Sequence, residues 1–167
     1  MIQIYTGNGK GKTTAALGLA IRAAGGGFNV YIAQFAKGRS YSELAALKKF
    51  KNIKTEQFGR RCFIRVKPDK KDIELACEGL KKAKEAILSK KYRIIILDEI
   101  NIALKLKLVS LQEILGMLRL ASKDKEVVLT GRYAHPQVIK IADLVSEIKE
   151  VKHYYKKGVK ARKGIEF

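Results

Sequence analysis

The sequence predicts an α/β protein with a mostly parallel sheet and helices on both faces. Short apolar segments alternate along the chain with segments of helical spacing, which is typical of such sheets. Residues 93–97 are aliphatic at nearly every position, as in strands buried on both faces. No repeat, linker or low-complexity segment divides the 167 residues, so we expect one domain over residues 1–167.

The N-terminal part of the chain begins this alternation. Residues 2–5 form a short apolar segment that predicts a strand. Residues 13–24 are rich in Ala and Leu and predict a buried helix, which should end at the glycines 25–27. Residues 30–35 predict a second strand, and residues 40–50 have helical spacing.

The middle of the chain continues with a third strand at residues 52–58. Asp69 follows a proline and is placed as the N-cap of a helix. That helix carries apolar residues at a 3.6-residue period as far as Ile87. Residues 93–97 then predict the central strand.

The last part of the chain predicts two more helices and two more strands. Residues 110–113 have the form of a capping box and should open a helix that reaches Ala121. Residues 126–130 predict a strand, and Pro136 marks the start of a helix that carries apolar residues as far as Val145. We expect the final strand at residues 146–151.

Composition narrows the class of protein. Apolar residues make up 47% and charged residues 31%, which is a globular composition. No apolar run approaches the roughly 20 residues of a membrane helix, and the N-terminus lacks the layout of a signal peptide. We expect a soluble cytoplasmic protein. The two cysteines, Cys62 and Cys77, are too far apart for a zinc motif and are expected to be free thiols.

The formal net charge of +19 has two interpretations. One is a polyanionic partner such as nucleic acid or a phosphorylated substrate. The other is a solvated, lysine-rich surface. The basic residues are spread along the chain and form no separate tail or arm, which favours the second interpretation.

A glycine-rich loop lies between the first predicted strand and the first predicted helix, which is the context of a phosphate loop. Glycines let the backbone curl its N–H groups toward an anion, and the helix adds its positive end. The lysine is expected to reach phosphate oxygens, and the threonine after it to bind Mg²⁺. The alternative is a glycine-rich turn that only caps a helix. The segment reads Thr6, Gly7, Asn8, Gly9, Lys10, Gly11, Lys12, Thr13 and Thr14.

Two carboxylates, Asp98 and Glu99, follow the central strand directly. Ligands of parallel sheets bind at the carboxyl ends of the strands, so both groups should lie near the phosphate loop. There one of them can hold Mg²⁺, directly or through water, and we expect a catalytic contribution from Glu99 together with Lys12. The alternative is a strand that simply ends in polar residues.

A third feature is Arg132, which follows Thr130 and Gly131 at the end of another predicted strand. It could reach the nucleotide or lie in solvent at a turn. No residue stands out as a catalytic base. His135 precedes Pro136 and is expected at a helix entrance, and His153 is expected to be structural.

These motifs together resemble the phosphate-loop type of ATP:corrinoid adenosyltransferase, and the likeness runs over nearly the whole chain. The loop is itself the form found in that family, with Thr6 where the first glycine is usual. Further matching residues are Gln34 to Gly38, Leu97 to Glu99, Thr130 to Arg132, His135, Ala142 to Asp143, Val145 to Glu147, Lys152 to His153, Gly158 to Ala161 and Gly164 to Phe167.

The resemblance implies a three-layer RecA-like fold, a homodimer, and a reaction between ATP and a reduced corrinoid. Co(I) attacks the 5′ carbon of ATP, and inorganic triphosphate leaves from a loop that holds the nucleotide in reversed direction. An electron donor must reduce the cobalt beforehand. The family also places aromatic residues against the corrin, for which Phe58 and Phe63 are the candidates; the chain has no tryptophan, which some members use.

Three other functions are compatible with parts of the sequence. A RecA-like ATPase acting on nucleic acid fits the loop and the positive charge, although residues 130–167 match the adenosyltransferases. A small-molecule kinase would release ADP instead. A corrinoid carrier would have no use for Asp98 and Glu99 beside a phosphate loop.

Overall fold

The chain forms a six-stranded sheet in which every neighbouring pair of strands is parallel. The computed structural model describes residues 1–39, 41–60 and 67–167. The strand order is β3-β2-β4-β5-β1-β6. The strands are β1 (Ile2–Thr6), β2 (Val30–Phe35), β3 (Ile53–Phe58), β4 (Ile94–Asp98), β5 (Glu126–Thr130) and β6 (Leu144–Glu147).

Helices cover both faces of this sheet and give three layers. Helices α1 and α2 bury apolar residues on one face, and α3 to α6 bury theirs on the other. None of the helices in the described ranges is long and apolar enough to cross a membrane. The helices are α1 (Lys12–Gly25), α2 (Ser42–Leu47), α3 (Lys70–Leu88), α4 (Ile100–Lys105), α5 (Leu111–Leu118) and α6 (Pro136–Ile141), with a short 3₁₀ turn at Tyr154–Lys157.

Strand β4 lies at the centre of the core, and its sequence is aliphatic because both of its faces are buried. Successive side chains of a strand point to opposite faces. Ile95 and Leu97 therefore join the larger apolar cluster under α3 to α5, whereas Ile94 and Ile96 join the smaller cluster under α1. All four are nearly inaccessible to solvent. The predicted fold class is confirmed.

Two of the predicted helix starts, at Asp69 and at Ser110, are confirmed by their capping geometry. The Asp69 carboxylate accepts the N–H of Asp72, and the Asp72 carboxylate accepts the N–H of Asp69 in return. Ser110 and Glu113 exchange the same pair of bonds at the start of α5. Such reciprocal caps satisfy N–H groups that the first helical turn leaves without partners.

Some predicted boundaries were wrong. Helix α5 ends at Leu118 and not at Ala121, and α4 was not predicted, because its six residues are too few to show a period. Helix α6 ends at Ile141 and does not reach Val145, because the final strand is Leu144–Glu147 and not residues 146–151. Strand β6 pairs with β1, and this pairing ends at Thr6 and Glu147, because β1 turns there into the glycine-rich loop.

The strand order fixes the position of the functional edge. Strand β5 lies between β1, which leads into the glycine-rich loop, and β4, which ends in Asp98. Because all strands run in one direction, the ends of β1, β2, β4 and β5 meet at the same edge. The loop, the two carboxylates and the residues after Thr130 are therefore neighbours, as the sequence predicted.

Candidate active site at the carboxyl edge of the sheet

The glycine-rich loop wraps around the side chain of Lys12, the first residue of α1. Lys12 is only 8% exposed, and its Nζ donates a 2.7 Å hydrogen bond to the carbonyl of Gly9. Gly11, which precedes the helix, has a φ of 121°, a conformation that side chains disfavour. The lysine is thus held at the mouth of the loop, with its ammonium facing the space that the loop encloses.

The loop glycines are also required by a close approach of the chain that follows β6. A Cβ on Gly7 would lie 2.5 Å from the carbonyl oxygen of Ile148, and one on Gly9 would lie 2.7 Å from that of Lys149. The N–H of Gly9 donates to Ile148 O at 2.7 Å. This amide is therefore committed to the protein, and a role of Gly9 as a phosphate donor stays a prediction.

Asp98, at the end of β4, is the centre of a buried hydrogen-bond network. Its Oδ1 accepts the hydroxyls of Thr13 at 2.9 Å and Thr130 at 2.7 Å. Its Oδ2 accepts Nε2 of Gln34 at 3.2 Å and Nζ of Lys37 at 2.7 Å. Four partners occupy the acceptor sites of the carboxylate, and Asp98 has no exposed surface.

Lys37, just beyond β2, was not among the predicted site residues, although it lies in the segment Gln34 to Gly38 that resembles the adenosyltransferases. Its ammonium donates to Asp98 and, at 3.2 Å, to the hydroxyl of Thr13, and it lies 5.5 Å from the centre of the Tyr41 ring. Burial alone would lower the pKa of Lys37, but its attraction to Asp98, helped by Glu99 and Glu43, outweighs burial and raises the pKa. The side chain is therefore a permanent cation at neutral pH.

Glu99 differs from Asp98 in every respect that matters for binding a ligand. Its side chain makes no hydrogen bond or ion pair within the described ranges, and it faces the open space beside Lys12 and Lys37. Burial, together with the charge of Asp98, raises the pKa of Glu99. Its backbone is held at a φ of 61°, and its N–H donates to Thr130 Oγ1 at 2.9 Å.

The pKa of Lys12 is lowered, chiefly by burial and further by the charge of Arg132, although Glu99 opposes the shift. Desolvation strengthens the attraction of such a lysine for any anion that enters, because little water competes. Positive and negative groups thus border the same space.

Two cavities meet at this edge. One, of about 680 Å³, runs along α1 past Thr13, Thr14 and Ile21. The other, of about 600 Å³, runs past Asn8, Arg132 and the tips of β4 and β5. Both volumes lie within the range of about 300–1,000 Å³ that is usual for ligand pockets. The residues that border both cavities are Lys10, Lys12, Lys37, Tyr41, Glu99 and Glu166.

Three residues with unusual backbone conformations border the second cavity. Ala36, Glu99 and Tyr133 all have positive φ although none is glycine. They follow β2, β4 and β5 respectively, where the chain must turn sharply away from the sheet. Strain of this kind concentrates at functional sites, where the geometry of neighbouring side chains is fixed at the expense of stability.

The C-terminal segment closes over the loop, which no motif predicted. Lys10 Nζ donates to the carbonyl of Ile165 at 2.6 Å and lies 3.5 Å from Glu166. Glu166 also contacts Tyr154 and accepts the N–H of Arg162, and these bonds lower its pKa to about 2. The only sequence signal for this contact was the likeness of residues 164–167 to the adenosyltransferases.

The predicted site residues fall into three groups. Lys10, Lys12 and Glu99 border both cavities; Gly11, Thr13 and Thr14 border the first, and Asn8, Gly9 and Arg132 the second. Thr6, Gly7 and Asp98 border neither cavity, and their contacts are with other residues of the protein. Phe63 lies outside the described residues, whereas Phe58 is buried in the core against Phe35.

The two predicted histidine positions agree with the structure. The Nδ1 of His135 accepts the N–H of Gln137 at the start of α6. His153 makes the same bond to Tyr155 before the 3₁₀ turn.

A loop with a buried lysine between β1 and α1, and carboxylates at the same edge after β4, two strands away, form the arrangement of three-layer α/β proteins of the phosphate-loop kind. Comparison with known proteins is more specific. The family model described as ATP:corrinoid adenosyltransferase BtuR/CobO/CobP matches residues 1–167. The chain therefore belongs to the ATP:corrinoid adenosyltransferase family, which is a family of enzymes.

Individual relatives agree over the full length of the chain. A corrinoid adenosyltransferase of Pseudomonas aeruginosa is 36% identical over 169 residues, which cover all of this chain and 83% of the relative. One of Sinorhizobium is 34% identical over 177 residues, covering all of this chain and 80% of the relative. One of Escherichia coli K12 is 32% identical over 167 residues, covering all of this chain and 85% of the relative.

Proposed function

We propose that this protein transfers the 5′-deoxyadenosyl group of ATP to the Co(I) centre of a reduced corrinoid and releases inorganic triphosphate. The observation that carries the proposal is the loop around Lys12, with Glu99 facing it, in a chain matched by the family model over its whole length. The corrinoid is either cobalamin or a cobyrinate-type precursor. Residues 1–167 would act as one domain.

The bond changes explain why the site needs cations more than it needs a base. The electron pair of Co(I) forms the bond to C5′, the C5′–O bond breaks, and its electrons stay on the leaving triphosphate. Cobalt is thereby formally oxidised to Co(III). Co(I) is already a strong nucleophile, so no protein group has to remove a proton from it.

Stabilising the leaving triphosphate is then the main task of the protein. Lys12 is fixed by Gly9 and needs no large movement to meet a phosphate oxygen. The N–H groups of the loop, Lys10 and Arg132 add positive potential around the same space. Preorganised groups of this kind are often the largest single contribution to catalysis.

The residues present also fit a magnesium ion. Glu99 offers a carboxylate with no hydrogen bond or ion pair to the described residues, and Thr13 offers a hydroxyl oxygen on the same cavity, while Asp98 already accepts four hydrogen bonds. Among the described residues no cluster of three or more metal-binding side chains exists. Two protein ligands completed by phosphate oxygens and water is the arrangement that Mg²⁺ prefers.

Bound there, Mg²⁺ would withdraw charge from the phosphates. We assign Glu99 and Thr13 as its ligands and Asp98 as the residue that orients Thr13. The two acidic residues, which are adjacent in sequence, would thus have different roles.

Several expectations from the sequence complete the proposal. The enzyme would act as a homodimer and depend on a separate electron donor that reduces Co(II) to Co(I). A substrate in such a reduced state fits a cytoplasmic enzyme. Phe63, which lies outside the described residues, is the candidate for contact with the corrin.

The test is an anaerobic assay with ATP, Mg²⁺ and chemically reduced cob(I)alamin, in which the corrin spectrum and the phosphate product are followed together. An adenosylcobalamin spectrum with one triphosphate per corrinoid is the expected result. Orthophosphate without a spectral change, across several corrinoids, would contradict the proposal and favour an ATPase that acts on nucleic acid. Release of ADP would favour a kinase.

A further inference from the structure

Lys37 is a cation at this edge, in the segment Gln34 to Gly38, to which the family resemblance assigns no role. Its Nζ lies 2.7 Å from the buried Asp98 carboxylate and 3.2 Å from the Thr13 hydroxyl. An ammonium carries three N–H donors, and these contacts use two of them. The side chain is 13% exposed, and it borders the two cavities that meet beside Lys12.

We propose that Lys37 is a built-in cation of the triphosphate site, which contacts the phosphates directly and supplies part of the positive charge that Mg²⁺ otherwise provides. The inference rests on the triphosphate-binding function proposed above.

The first argument is rigidity. The stem of Lys37 begins after Ala36, whose φ of 52° fixes the direction in which the chain leaves β2. Its ammonium is then held by Asp98, by Thr13 and by the face of the Tyr41 ring. A flexible lysine loses side-chain entropy when it binds an anion, whereas one already held in place loses little.

The second argument is charge. Asp98 and Glu99 bring two negative charges to the edge at which a highly charged anion has to bind. Lys37 neutralises the first of them at contact distance, and Lys12 lies near the second. Without Lys37, the charge of Asp98 would repel phosphate across a poorly solvated space, where charges interact strongly.

The third argument is that Lys37 and Mg²⁺ would contact the same side chain. Lys37 and the proposed magnesium site use the same hydroxyl, that of Thr13. Two cations on neighbouring positions repel each other and screen the same phosphates, so each should matter most when the other is absent. Binding of triphosphate should therefore show a coupling between Lys37 and Mg²⁺ that a distant lysine does not show.

The experiment measures the affinity of inorganic triphosphate by calorimetry, at constant ionic strength, in EDTA and in saturating Mg²⁺. In EDTA, Lys37→Met should weaken binding at least about tenfold, which is 1.4 kcal/mol. In Mg²⁺ the loss should be clearly smaller. Lys37→Arg, which keeps the charge, should stay within about threefold of the wild type in both conditions.

Lys70→Met is the matched control, since it removes the same charge from a side chain that is 92% exposed. It should change neither affinity by more than about twofold, because exposed charges at a distance are screened by salt. If Lys37→Met binds like the wild type in EDTA, or if it loses equally in both conditions, the direct phosphate contact is refuted. If the wild type binds no triphosphate at all, both this inference and the proposed function are refuted.

A second measurement covers the case in which Lys37→Met does not fold. In the ¹⁵N spectrum of lysine ammonium groups, the Lys37 signal is assigned by its loss in Lys37→Arg. Metal-free triphosphate should shift this signal in the wild type. A Lys37 signal that stays in place while triphosphate binds would overturn the inference.

Discussion

The hydroxyl of Thr130 donates a 2.7 Å hydrogen bond to Oδ1 of Asp98. The hydroxyl oxygen of Thr130 also accepts the N–H of Glu99 at 2.9 Å. One side chain of β5 therefore holds both acidic residues at the end of β4. Thr130 is fully buried between the loop strand β1 and the carboxylate strand β4. The orientation of the site therefore depends on a residue that touches neither cavity.

Thr130→Val should lower the free energy of unfolding by about 1–3 kcal/mol, because it leaves a buried carboxylate oxygen and a backbone N–H without this partner. Turnover should fall as well, through misplacement of Glu99. Chemical denaturation and the adenosylation assay measure the two effects. Thr130→Ser, which keeps the hydroxyl, is the control and should restore most of the activity; equal losses in both variants would assign the effect to packing.

Glu99→Gln should make the protein more stable at neutral pH while turnover falls on the order of a hundredfold. Burial raises the pKa of Glu99 in the folded protein above its ordinary value of 4.5. The folded state consequently holds this proton more tightly, and stability is lost as the pH rises from the unfolded-chain pKa through the folded pKa. The amide of glutamine avoids that loss.

The pH dependence separates this explanation from a general effect of the mutation. The melting temperature of Glu99→Gln should exceed that of the wild type at pH 7, by about 2–4 °C for each kcal/mol gained. The difference should vanish below about pH 4, where the glutamate is protonated in both states. A stabilisation that persists unchanged at low pH would disagree with the raised pKa.

Asp98→Asn should have the opposite effect on stability. It leaves the ammonium of Lys37 without its anion and disturbs four hydrogen bonds in a fully buried position. Breaking a buried ion pair from one side costs about 3–5 kcal/mol. Thermal and denaturant unfolding at pH 7 measure this loss. Glu99→Gln is the matched control, since it makes the same kind of substitution at the adjacent residue. Similar stability changes in both variants would contradict the separate roles assigned to them.

Lys12→Ala should lose at least about a hundredfold in turnover, or roughly 3 kcal/mol of transition-state stabilisation, while the protein stays folded. The fold should survive because the side chain lies at the edge of the sheet, and within the described part of the chain its one hydrogen bond is to Gly9 O. Circular dichroism and the anaerobic assay measure both properties. Lys70→Ala, on the exposed start of α3, is the control for charge. Wild-type turnover in folded Lys12→Ala would exclude Lys12 from the chemistry.

Gly9→Ala should destabilise the loop and the segment after β6 together, because its Cβ would lie 2.7 Å from Lys149 O and 2.8 Å from Ile148 O. Overpacking of this kind costs about 1–3 kcal/mol. Gly116→Ala is the control within α5, where a Cβ meets nothing within 4 Å; it should be neutral or stabilising by up to about 1 kcal/mol. Equal behaviour of the two variants would show that residues 148–149 can move away without cost.

Much of the fold could be predicted because its signals are local. The aliphatic run before Asp98, the capping box at Ser110 and the glycines that end α1 each depend on residues close in sequence. The same holds for the phosphate loop, whose strand, glycines and lysine are contiguous. Boundaries were less accurate where the element is short, as in α4, or where it ends because a partner strand ends, as in β6.

The sequence by itself determined the class of fold and the family, and it predicted Lys12, Thr13, Asp98 and Glu99 as the centre of the site. Only the tertiary structure distinguished Asp98, with its four partners, from Glu99, which has none among the described residues. It also brought Lys37 and the segment around Glu166 to the loop. The physical reason is that parallel strands align at one edge residues that lie far apart in the chain, and burial and hydrogen bonding there, not residue type, decide which carboxylate is open to a ligand.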